Sequence, residues 1–256
     1  MRVLSWNVNG LRAVLGKGCL EFIRNDRSDV LCIQETKMSK EHSPIASFPE
    51  FHQYYSFAVK KGYSGVATWS RAEPIEVEYG LGIERFDAEG RTLITHYQDL
   101  VLVNCYFPNG KQGSDRLQYK MDFYEAFLDR MEGYRKQKNV VFCGDVNTAH
   151  REIDLARPKE NEDVSGFLPL EREWIDKLTD RGYVDTFRAI HGDEVAYSWW
   201  DYKTRARERD IGWRIDYFFI NKELLPNLKD AFVLPEVMGS DHCPVGIEMG
   251  TCLIKT

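Results

Sequence analysis

The 256-residue chain contains no apolar run approaching the roughly eighteen residues that a membrane-spanning helix needs, which excludes a helical membrane span. It also has no surplus of basic charge. Lys and Arg number 34 against 40 Asp and Glu, a net charge of −6, so bulk charge does not mark a nucleic-acid wrapper. If a polyanion is the partner, the placement of a minority of basic residues must meet it locally. Cysteine is sparse and scattered. The six cysteines show no zinc-ligand spacing, and Cys32, Cys105 and Cys143 sit in the apolar runs VLCIQ, VLVNCYF and VVFCGD. Such settings favour buried free thiols over a disulfide framework, and hence a reducing compartment. The first residues show no charged segment leading into an apolar one, so the expected location is cytoplasmic. With no low-complexity tract or linker, one domain over residues 1–256 is expected. Aromatic residues are plentiful: 14 Phe, 13 Tyr and 6 Trp can fill a large core.

Periodicity points to an α/β protein dominated by strands. Strands are expected at 3–6, 30–33, 65–69, 93–97, 100–106, 140–143, 215–220 and 243–247, most of them bounded by Gly, Pro, Asn or Asp. Leu117, Met121, Tyr124, Leu128 and Met131 recur at helical spacing and predict a helix over 116–138. Shorter helices are expected at 19–25 and 171–181. RVLSWNVNG and VVFCGDVNTA read alike, each a buried strand running into a D/N-V-N turn. That echo suggests two related sheets.

Several strand ends carry polar groups in excess of what turns require: Asn7 and Asn9, Glu35, Asp145 and Asn147, Asp216, then Asp241 and His242. Side chains at such ends converge on one rim, where sites form. Glu35 follows an apolar strand and needs a cation or donors to stay charged there. Oxygen donors with few Cys or His nearby suit Mg²⁺ or Mn²⁺. Asp241 and His242, as strand neighbours, face opposite sides, so the carboxylate partner of His242 must come from another strand, such as Asp216. An imidazole so paired donates protons or binds phosphate.

SWNVNGLR, LCIQETK, NCYFPNG, FCGDVNTAHREIDL, GWRIDYFFI and GSDHCP occur in that order from residue 5 to residue 244. Together they resemble the exonuclease III family of apurinic/apyrimidinic endonucleases. The resemblance implies a four-layered α/β sandwich, two packed mixed sheets flanked by helices. It implies Mg²⁺, with Mn²⁺ able to substitute, held by Glu35 with Asn7 and Asn9 beside it and Asp241 close by. Asp145 would orient or deprotonate the attacking water, helped by Asn147. Asp216 and His242 would contact the scissile phosphate, and Tyr106 would reach the phosphate or leaving oxygen. Asn9 stands where some members carry Asp, a charge difference that favours one tight metal over two.

The stretch 198–214, SWWDYKTRARERDIGWR, interleaves Lys203, Arg205, Arg207, Arg209 and Arg214 with four aromatic rings. Such a loop suits insertion into DNA, guanidinium groups meeting phosphates while aromatic walls receive an extruded sugar. By resemblance, Trp199, Trp213 and Ile215 surround a pocket for a flipped-out abasic deoxyribose, and Arg12, Lys37, Tyr63, Asn109 and Asn161 contact the backbone. The implied activity is incision of duplex DNA 5′ to an abasic site, leaving a 3′-hydroxyl. Exonuclease or 3′-cleaning activity lies within the same resemblance, and Lys203, where some members carry an apolar wedge, extends the expectation to damaged or deaminated nucleotides. The protein is expected to act as a monomer away from membranes. An inositol or lipid phosphoesterase of the wider superfamily is the competing expectation, and it would carry a different loop.

Overall fold

The computed structural model of the protein describes residues 1–250. Two six-stranded mixed sheets pack face to face. In spatial order the first sheet contains Leu228–Val233, Val245–Met249, Arg2–Asn7, Val30–Gln34, Val66–Ser70 and His52–Ser56. The second contains Glu76–Tyr79, Thr92–His96, Leu100–Cys105, Asn139–Asp145, Asp216–Asn221 and Tyr183–Asp185. Each has one parallel pair, Arg2–Asn7 with Val30–Gln34 and Leu100–Cys105 with Asn139–Asp145.

Strands buried on both faces read as continuous apolar runs, and these do. Val3, Val30, Cys32, Val245 and Ile247 of the first sheet meet Leu102, Val141, Cys143, Phe218 and Ile220 of the second in one apolar layer. The second sheet's outer face is covered by the helices Ser114–Arg135 and Pro169–Asp180, through Phe123, Tyr124, Phe127, Trp174 and Ile175. Over the first sheet's outer face lie Leu11, Val14, Leu20, Ile23 and Phe48. The result is the expected four-layered sandwich.

The elements depart from the sequence reading at several places. Residues 19–25 are not one helix; helical turns lie at Leu11–Gly16 and Ile23–Asp26, separated by turns at Lys17 to Phe22, where Gly18 has φ +68°. In the long helix, Leu117 and Met121 are only half-buried, whereas Lys120 is fully buried, so the inward stripe begins with a charged residue that an apolar count passes over. The last strand starts at Val245 rather than at 243, because Pro244 has no N–H to donate and Cys243 N–H goes to Ser198 O at 2.8 Å. Among the described residues, Cys19, Cys32, Cys105, Cys143 and Cys243 are free thiols; Cys252 lies outside them. No helix among them is long and apolar enough to cross a membrane.

Candidate active site and nucleic-acid interface

Interior strands of both sheets end at one edge of the sandwich. Arg2–Asn7 and Asn139–Asp145 leave their sheets through the same turn. Asn9 N–H donates to Asn7 Oδ1 at 3.0 Å, and Asn147 N–H donates to Asp145 Oδ1 at 2.8 Å. Asn9 (φ 48°) and Asn147 (φ 57°) are left-handed, a conformation Asn tolerates better than most residues. Glu35, just past Val30–Gln34, is left-handed too, at φ 50°. Such backbone strain gathers where a side chain must be aimed.

The aimed groups form one network. Asn7 Nδ2 donates to Glu35 Oε1 at 3.0 Å and to Asp145 Oδ2 at 2.9 Å. Lys37 Nζ lies 3.0 Å from Glu35 Oε2 and also donates to Asn9 Oδ1. Asn9 Nδ2 donates to Asp241 Oδ1 at 3.0 Å. Asp145 faces Asp216 across an antiparallel register. His242 Nδ1 sits 2.8 Å from Asp216 Oδ2, with Nε2 3.7 Å from Asp145 Oδ2. The partner of His242 is therefore Asp216, while Asp241 turns toward Asn9.

Burial and charge set the protonation states. Burial lowers the proton affinity of His242, but the carboxylates of Asp216 and Asp145 outweigh it and hold the imidazole well above its ordinary value, charged at neutral pH. Burial raises Asp145; His242 pulls it down, and Asp216 and Glu35 push it up again, leaving it well above the usual carboxylate range. Glu35 stays below its ordinary value because Lys37, Asn7 and His242 outweigh its burial. Burial and the Glu35 carboxylate push the Tyr106 phenol well up, so it remains a protonated donor facing Glu35. The site thus holds an ionised Glu35, a proton-accepting Asp145 and a charged His242.

Asp145, Asp216 and His242 offer ligand atoms within 4.8 Å of one another, a spacing that could ring a metal ion. An imidazolium clasped between two carboxylates, however, has no lone pair to give. The better-suited oxygens are on the Glu35 side, next to a lysine ammonium that already shows the place accepts positive charge.

Beside these groups lies a pocket of about 160 Å³, bordered by Glu35, Tyr106, Asn109, Lys111, Asp145 and Asn147 and closed by Trp199, Trp213 and Ile215. Trp199 and Trp213 face each other in a short hairpin, rings edge to face at 6.3 Å. Gly166 forms part of the rim with φ +106°; a Cβ there would come 3.2 Å from the Trp213 ring.

The other sequence-chosen residues have varied surroundings. Lys203 and Asn161 border an adjoining groove shared with Trp199 and Trp213. Arg205 and Arg209 are exposed, Arg209 donating to Thr204 O at 3.0 Å. Arg12 is exposed, with Nη1 3.2 Å from His42 Nε2. Tyr63 Oη accepts from Arg91 and Arg116 at 3.0 and 3.1 Å. Two arginines of the loop stand apart. Arg207 donates to the carbonyls of Pro235, Val237 and Ser240 and lies over the Trp200 ring. Arg214, counted above with the basic cluster, is fully buried between Asp154 and Asp185 and belongs to the core.

Two features escaped the sequence reading. Lys111 lines the pocket with its ammonium 5.1 Å from the Trp199 ring centre; a lone lysine after Asn-Gly carries no signal. The buried pair Lys120–Glu171, at 2.6 Å, braces the site from behind. Lys120 donates to Asn147 O at 2.9 Å, and Glu171 accepts from Ser165 Oγ and Gly166 N–H at 2.8 and 2.6 Å.

The family model described as the Endonuclease/Exonuclease/phosphatase family matches residues 4–242. An exodeoxyribonuclease of Bacillus subtilis is 44% identical over 96% of this chain and 98% of its own length. The DNA repair nuclease APEX1 of Danio rerio is 42% identical over 96% of this chain and 81% of its own. Among solved structures, the catalytic domain of Xenopus laevis APE2 superposes with a TM-score of 0.90 at 31% identity, covering 100% of this chain and 94% of that one. A Neisseria 3′ phosphatase bound to a product DNA hairpin gives 0.90 at 28% identity, covering 97% and 99%.

Proposed function

Because the chain belongs to the endonuclease/exonuclease/phosphatase family and its relatives are DNA-repair nucleases, we propose that it hydrolyses the phosphodiester 5′ to an abasic site in duplex DNA, leaving a 3′-hydroxyl. The observation that carries this reading is the junction of a buried carboxylate–imidazolium cluster with a small pocket walled by two indoles. A cavity near 150 Å³ holds a ring of benzene's size, and about 160 Å³ therefore suits a baseless sugar better than an intact nucleoside.

With the sugar seated against Trp199 and Trp213, its 5′ phosphate reaches the carboxylate cluster. Asp145, its proton affinity raised, accepts a proton from the water it orients, and Asn147 fixes that carboxylate through its backbone N–H. His242, charged and held by Asp216, donates to a non-bridging oxygen. Tyr106, kept protonated beside Glu35, is placed to donate to the phosphate or leaving oxygen. Glu35 and Asn7 are the groups to hold a divalent cation, Mg²⁺ or Mn²⁺ by their oxygen chemistry, with Asn9 and Asp241 behind them. When bound, such a cation would neutralise charge on the phosphate and the departing oxygen. Action as a monomer is part of the same proposal.

The test is incision of a duplex holding one tetrahydrofuran abasic analogue. A cut 5′ to the analogue that requires Mg²⁺ and is stopped by EDTA is expected; no metal-dependent cut overturns the proposal. Asp145→Asn should abolish cutting while leaving duplex binding in EDTA intact.

A further inference from the structure

We infer that Trp199, besides walling the pocket, is a positioning residue for the chemistry, acting through Asp241; this rests on the nuclease reading above. The indole N–H donates to Asp241 Oδ2 at 3.1 Å. The other oxygen of that carboxylate accepts from Asn9 Nδ2 at 3.0 Å and from Ser240 Oγ at 3.1 Å. Anchored through both oxygens, Asp241 has a fixed plane; anchored through one alone, it would be free to swing.

What Asp241 fixes leads into the site. Its hold on Asn9 Nδ2 points Asn9 Oδ1 at the Lys37 ammonium, and that ammonium is paired with Glu35 Oε2. Glu35 in turn shares the Asn7 amide with Asp145. An unbroken series of hydrogen bonds therefore runs from the pocket wall to the carboxylate that activates water. The ring at its head is itself clamped. Lys111 lies over its face at 5.1 Å, Trp213 meets it edge to face, and the Trp199 backbone bridges that of His242. A phenylalanine would keep an aromatic, if smaller, wall but could not start the series, since it has no N–H. A sugar seated against the indole thus presses on a ring bonded to the cation-side carboxylates.

The deciding variant is Trp199→Phe, with Trp213→Phe on the adjoining wall as its counterpart. Three quantities separate positioning from wall-building: kcat and KM for the tetrahydrofuran duplex, and Mn²⁺ affinity of the DNA-free protein by calorimetry. Loss of one hydrogen bond to a charged group predicts a kcat lower by about tenfold in Trp199→Phe, with KM within about twofold and weaker Mn²⁺ binding. Trp213→Phe should leave Mn²⁺ affinity unchanged. In an Asp241→Ala background, Trp199→Phe should lower kcat no further. Wild-type kcat and Mn²⁺ affinity in Trp199→Phe, or a change in KM alone, overturns the inference. Should Trp199→Phe fail to fold, Trp199→Leu, which likewise lacks the N–H, must show the same losses of kcat and Mn²⁺ affinity, and wild-type values of both there overturn it. A wild-type protein that does not cut in Mg²⁺ sinks the nuclease reading instead.

Discussion

Asn7 Nδ2 lies 2.9 Å from Asp145 Oδ2, and this single hydrogen bond joins the closing residues of interior strands in two different sheets. The same nitrogen holds Glu35. One neutral amide therefore keeps the buried Asp145 and the half-buried Glu35 apart and aimed, a task no carboxylate could perform in its place. Asn7→Asp should bring a third anion against Glu35 and Asp145, raising the proton affinity of both. Single-turnover incision is expected to fall by about a hundredfold, two bonds to charged groups being lost. Asn7→Ala, which removes the bonds without adding charge, should cost less. Equal rates in the two variants would mean that charge at this position does not matter.

Most of this was legible in the sequence, and what was missed has a common physical cause. The eight strands that the apolar runs announce are the eight interior strands of the two sheets; the four edges, Leu228–Val233, His52–Ser56, Glu76–Tyr79 and Tyr183–Asp185, went unannounced. An edge strand faces solvent along one side and carries polar residues such as His52, Gln53, Glu76 and Glu78, so it has no apolar run to read. The D/N-V-N echo was real, appearing as the paired turns at Asn7–Asn9 and Asp145–Asn147. The purpose of individual basic residues was not legible, because a guanidinium looks the same in sequence whether it meets solvent, carbonyls or buried carboxylates.

The loop arginines separate on that ground. Arg209 is exposed and held only by Thr204 O, whereas Arg207 is bound to three carbonyls of the 235–240 segment. Arg209→Ala should weaken binding to the abasic duplex and reduce the salt slope of log K by about one, as for loss of one phosphate contact. Arg207→Ala should instead lower the thermal midpoint with the salt slope unchanged. A reversed pattern would place Arg207, not Arg209, on the DNA.

Lys120 and Glu171 are both fully buried, and each serves a different wall of the site. Removing one partner leaves an uncompensated charge in the interior. Lys120→Met should destabilise the fold by about 3–5 kcal/mol in urea unfolding. Adding Glu171→Gln should recover a large part of that loss, because the stranded carboxylate is then gone. A double variant no more stable than Lys120→Met would show that packing, not charge, dominates here.

Asp154 supplies a pH test of the fold away from the chemistry. Burial alone would raise its proton affinity, but the guanidiniums of Arg214 and Arg188 prevail and hold it below the ordinary carboxylate value. A carboxyl depressed in the folded state binds a proton more readily when unfolded. Its contribution is therefore complete above the unfolded value, near pH 4, and disappears as pH falls through the lower folded value. Asp154→Asn should be less stable than wild type at pH 7, where the urea midpoints differ most. The gap should narrow as the pH is taken down through 4 toward 2, since protonation then removes from the wild type what the substitution has already removed. A gap constant across that range would mean that the Asp154 charge contributes nothing and that its hydrogen bonds alone hold Arg214 in place.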